Sequence, residues 1–63
     1  VNETIRAELA AAAEAVERYR IRVESLVESA GPESDDLVAA MWEAERALLS
    51  AHRLLVRAGK LAR

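Results

Sequence analysis

Ser29-Ala30-Gly31-Pro32-Glu33-Ser34-Asp35-Asp36 is the stretch on which the fold turns. Gly31 suits the left-handed position just past a helix end, and Pro32 cannot continue a helix from its N-terminal side. Ser34 offers an N-cap, and Asp35 and Asp36 fall where a helix N-terminus favours negative charge. On either side the chain is built from Ala, Glu, Leu and Arg, all strong helix formers, and the only other Gly or Pro is Gly59. The sequence therefore predicts one domain over 1–63: a helix over about 2–29, a turn over 30–34 and a second helix over about 34–60. A turn this short makes the helices antiparallel neighbours.

Outward from the turn, each arm carries a heptad pattern. In the first arm Ile5, Leu9, Ala12, Val16, Tyr19, Val23, Leu26 and Ala30 advance by 4-3-4-3-4-3-4, the period of one helix lying along another. Leu37, Met41, Ala44, Leu48, Ala51, Leu55, Ala58 and Ala62 do the same in the second. The second arm is apolar well beyond that seam. Ala40, Ala47, Leu54 and Leu61 flank one side, and Trp42, Leu49 and Val56 the other. At 100° per residue its apolar arc spans roughly 220–240°, about twice that of an ordinary amphipathic helix.

One partner helix covers one stripe, so a second stripe is left for another molecule. A chain of 63 residues without cysteine has neither disulfides nor thiolate ligands, and its single histidine makes a structural zinc site implausible. Oligomerisation is the remaining way to complete so small a core. The expectation is an all-α antiparallel hairpin that forms a four-helix bundle as a homodimer. Its interface residues would be Val38, Trp42, Glu45, Leu49, His52 and Val56, with Trp42 the main anchor.

Charge placement agrees with the hairpin. Residues 33–45 hold acids and no base, and residues 46–63 hold bases and no acid. That polarity complements the helix dipole. Folding at Gly31-Pro32 would set Glu3, Glu8 and Glu14 near the basic end of the second helix, and Arg20 and Arg22 near Glu43 and Glu45. Ala10 to Ala13 would face Leu54 and Leu55, small against large.

The chemistry-bearing candidates are few. Glu45 and His52, seven apart, share one side of the second helix within its apolar arc. A metal needs three or four convergent ligands, so fixing the register of an interface is the better reading. Glu14 and Glu17 form an E-x-x-E step, the spacing of some magnesium sites, but no matching acidic motif stands in the second arm. Arg18-Tyr19-Arg20-Ile21-Arg22 mixes bases with an aromatic ring, yet Tyr19 falls on the seam. Arg46, Arg53, Arg57 and Lys60 lie on one side of the second helix and could track phosphates. The net charge of −2 supplies no general attraction to nucleic acid.

No apolar run approaches the ~20 residues of a membrane span. The start, Val1-Asn2-Glu3-Thr4, has no basic head followed by an apolar stretch, and an initial valine suits a trimmed chain or a segment of a longer one. A reducing, cytoplasmic setting fits this composition. The expected function is a small oligomerisation or protein-interaction module with a regulatory or adaptor role. No catalysis, cofactor or metal is expected, and its partner would be itself or another helical protein. The alternatives are a nucleic-acid-binding bundle using the arginine stripe, or a helical piece of a larger assembly.

Overall fold

The computed structural model describes residues 2–30 and 35–62. It contains two helices, α1 (Asn2–Ala30) and α2 (Asp35–Leu61), packed against each other along a rod of 49 × 14 × 10 Å. The all-helical hairpin predicted from the sequence is what forms. The roles expected of Gly31, Pro32 and Ser34 at the turn lie outside the described residues. The last turns hold together through local bonds. The Ser29 hydroxyl donates to the Ser25 carbonyl at 3.1 Å, and the Ala62 amide donates to the Ala58 carbonyl at 3.1 Å.

The seam differs from the predicted one at Ile5, Tyr19, Leu26, Leu37 and Ala44, which are exposed. Leu9, Val16, Val23 and Ala30 of α1, Met41, Leu48 and Leu55 of α2, and Ala62 just past its end are shielded as expected. Between them, however, Ala13, Arg20 and Val27 are shielded where Tyr19 and Leu26 are exposed, and Ala12 is half-buried beside Ala13. In α2 Val38 and Glu45 are shielded while Leu37 and Ala44 are exposed, and His52 and Gly59 are half-buried alongside Ala51 and Ala58. Both stripes have heptad spacing, so periodicity could not choose between them. Each helix is turned by roughly 50° from the predicted setting, half the angle between successive residues.

Two polar contacts accompany that rotation. Arg20 meets Glu45, and the His52 ring meets the Ala13 backbone carbonyl. The predicted seam would have put Tyr19 in the core; instead its side is 57% exposed, and Arg22 lies over its ring at 5.7 Å from the centroid. Arg22 is thus turned away from the acids of α2 that it was expected to meet, whereas Arg20 meets one of them. The small-against-large expectation shifts likewise. Ala13, 4% exposed, is the closely packed alanine, while Leu54 points to solvent.

Only Ala13 and Val27 are buried apolar residues among those described. Gly59 also lies in the seam, where a Cβ would sit 3.9 Å from the Leu9 Cβ, an ordinary contact. Glycine within a helix costs about 0.5–1 kcal/mol relative to alanine. Gly59→Ala is therefore expected to stabilise the hairpin by that amount, raising the thermal midpoint by roughly 4–8 °C per kcal/mol. A lower midpoint in a circular-dichroism melt would mean that the helices approach more closely there than this packing allows.

Candidate functional site

The middle of the hairpin is organised around the Arg20 guanidinium. Its Nε and Nη2 donate to the two carboxylate oxygens of Glu17, one turn earlier on α1, at 2.8 and 3.0 Å. Its Nη1 reaches across to Glu45 Oε2 on α2 at 2.8 Å and lies 3.5 Å from Glu24 Oε2. The fork thus satisfies one carboxylate bidentately and a second across the seam, a geometry that lysine could not reproduce. Glu45 is 8% exposed, the one buried charged residue among those described, and is compensated at this distance.

The electrostatics follow from the contacts. Hydrogen bonding from Arg20 holds the Glu17 carboxyl below its ordinary value of 4.5. Pairing with Glu17, and then with Glu45, raises the pKa of Arg20 further above its usual range. Two turns along α2, His52 Nδ1 lies 3.0 Å from the Ala13 carbonyl oxygen. A carbonyl only accepts, so Nδ1 carries the hydrogen and donates it. Glu45 and His52 therefore share a side of α2, as predicted, but each is engaged by its own partner on α1.

These contacts bear on the chemical readings. Among the described residues, no three His, Asp or Glu side chains converge as a metal ion would require. Glu17, of the E-x-x-E step, is taken up by Arg20. Glu14 instead borders an open groove of about 420 Å³ with Ala10, Ala13, His52, Val56 and Gly59 on its walls. The groove is apolar, and its few polar groups do not form a nucleophile–base pair.

The six predicted interface residues separate into two sets. Val38, Glu45 and His52 line the intramolecular seam. Leu49 is half-buried at its edge, and Trp42 and Val56 are 41% and 38% exposed beside it. Arg46, Arg53, Arg57 and Lys60 are all exposed, as a phosphate-tracking row would need. Arg46, Arg53 and Lys60, however, share their side of the hairpin with Glu14, Glu17 and Glu24 of α1.

Arg20 is the residue that sequence reasoning missed as a core element. The signal was present: Arg20 falls on the stripe Ala13, Arg20, Val27, and it comes level with Glu45 once the chain folds at Gly31-Pro32. No family model, curated protein or solved structure matches this chain. The exposed surface is then the feature of the chain that bears on function. Among the described residues, no helix is long and apolar enough to cross a membrane.

Proposed function

We propose that this chain is a self-associating helical module whose homodimer is a four-helix bundle, with a regulatory or adaptor role and no catalysis of its own. The observation that carries this reading is which stripe the hairpin buries. It seals a stripe containing Arg20, Glu45 and His52, and leaves Ile5, Tyr19, Leu26 and Leu37 47% or more exposed. A hairpin that had to stand alone would gain more by burying the apolar stripe. The chain also exposes 4875 Å². A compact monomer of 6.9 kDa would expose about 4,000 Å². The difference is close to the ~800 Å² that each partner hides in a standard interface.

Sedimentation equilibrium over a wide concentration range, with helicity followed in parallel, tests this directly. The expected result is a species of twice the chain mass that loses helicity as dilution dissociates it. A fully helical monomer at all concentrations would overturn the reading and leave the exposed stripe to a different helical protein.

A second reading, binding of a phosphate backbone, draws on the exposure of Arg46, Arg53, Arg57 and Lys60. The acids on the same side and the net charge of −2 oppose it. A salt-dependent gel shift with RNA or DNA would favour it, and no shift at low salt would remove it.

A further inference from the structure

The hairpin has two faces, and they differ in chemistry. In antiparallel helices, turning in the same sense from the seam leads to the same face on both. The groove identifies one face, since it joins Ala10 and Glu14 of α1 to Val56 and Lys60 of α2. Turning the other way from the seam reaches Ile5, Ala12, Tyr19 and Leu26 on α1. On α2 it reaches Leu37, Ala44, Ala51 and Ala58, then Ala40, Ala47, Leu54 and Leu61 at the outer edge. Six large apolar side chains stand on this second face (Ile5, Tyr19, Leu26, Leu37, Leu54 and Leu61), from 47% to 74% exposed. Trp42 and Val56, on the groove face, are the less exposed, at 41% and 38%, and charged side chains of both signs share that face with them.

We infer that a second copy of this chain covers the face of Ile5, Tyr19, Leu26, Leu37, Leu54 and Leu61. The two copies are related by a two-fold axis that crosses both helices near Ala15 and Ser50. The inference rests on the self-association proposed above and specifies its surface and geometry. The axis lays α1 antiparallel on the partner's α1 and α2 antiparallel on the partner's α2.

The support is self-complementarity, which an isologous interface requires. On α1, reversal about the point between Ala15 and Val16 sets Ile5 against the partner's Leu26 and Ala12 against the partner's Tyr19, small against large. The same reversal brings Glu8, at the outer edge of this face, beside the partner's Arg22. On α2, reversal about the point between Ser50 and Ala51 sets Ala47 against the partner's Leu54 and Ala40 against the partner's Leu61. These are independent sequence patterns, yet one axis serves both. The Arg20–Glu45 and Ala13–His52 contacts put Ala15 level with Ser50, within about one residue of both points.

The other face-to-face two-fold runs along the helices and lays α1 on the partner's α2. It sets the charged edge of α1, with Glu8 and Arg22, against the apolar edge with Leu54 and Leu61. Desolvating charges against leucine is unfavourable, whereas the crossing axis joins charged edge to charged edge and apolar edge to apolar edge. A face 49 Å long and 14 Å wide between Cα extremes is large enough for a standard interface.

The test measures the dimer dissociation constant of the full chain by sedimentation for four variants beside the wild type. Tyr19→Glu is expected to weaken the dimer at least ~100-fold. Glu8→Arg is expected to weaken it about tenfold, through two like-charged contacts. Glu8→Arg combined with Arg22→Glu is expected to restore it. Within one helix these positions are ~21 Å apart, so rescue requires contact between copies. Trp42→Lys should leave the dimer within about threefold of the wild type.

If the wild type is dimeric but Trp42→Lys dissociates it and Tyr19→Glu does not, the face is wrong and self-association stands. If Tyr19→Glu dissociates it but the charge exchange gives no rescue, the crossing axis is wrong. A monomeric wild type overturns both proposals.

Discussion

Arg20→Leu is expected to cause a large loss of stability. It leaves Glu45, 8% exposed, without the cation that faces it at 2.8 Å. An uncompensated buried charge costs more than a buried pair contributes, so removing one partner is worse than removing both. The thermal midpoint should fall by on the order of 10 °C or more. Arg20→Leu combined with Glu45→Leu should recover most of that fall, since two leucines fill the same seam without charge. Equal midpoints for the single and double variants would show that Glu45 is solvated in the single variant.

The same substitution carries a pH signature. In the wild type Arg20 holds the Glu17 pKa below its ordinary value of 4.5, which also describes the unfolded chain. A group whose pKa is lowered on folding contributes stability that is fully present above the unfolded value. That contribution is lost as the pH falls through the lowered one. The wild-type midpoint should therefore decline on acidification below about pH 4.5. Arg20→Leu removes the cause of the shift and should lack that part of the decline. Melts between pH 2.5 and pH 7 would separate the two, the range being about that over which carboxylates titrate.

Ala13→Leu is the second large effect. Ala13 is 4% exposed, and its carbonyl accepts from His52 at 3.0 Å, so α2 passes close to the α1 backbone there. A leucine there crowds the His52 ring and the facing backbone, on the seam side of the groove that Ala13 borders. Overpacking costs about 1–3 kcal/mol. Loss of the His52 hydrogen bond adds about 0.5–1.5 kcal/mol. For a domain of this size the midpoint should drop by roughly 10–20 °C. Ala11→Leu, on the exposed side of α1, should change it little. A midpoint unchanged by Ala13→Leu would mean that the seam runs through Ala12 after all.

Much of this architecture was legible without coordinates, because local physics decides it. Helix formers on both sides of Gly31-Pro32 determine two helices and one reversal. Heptad spacing determines that each helix lies along a partner, and the width of the apolar arc on α2 implies more than one partner. The level of Arg20 with Glu45 follows from the position of the turn. The rotation of each helix about its own axis did not follow. Tyr19 and Arg20 are neighbours on one helix, and Leu9, Val16 and Val23 serve a seam through either of them.

The choice between those seams depends on contacts that exist only once the helices are side by side. Glu45 and His52 stood out in the sequence as polar residues in an apolar arc. Nothing local says that a guanidinium from α1 will meet the one and a backbone carbonyl the other. Length, helicity, reversal and heptad period are set residue by residue along the chain. Which stripe faces inward is a property of the pair of helices: it depends on whether buried polar groups find partners across the seam, and here Arg20 and Ala13 supply them.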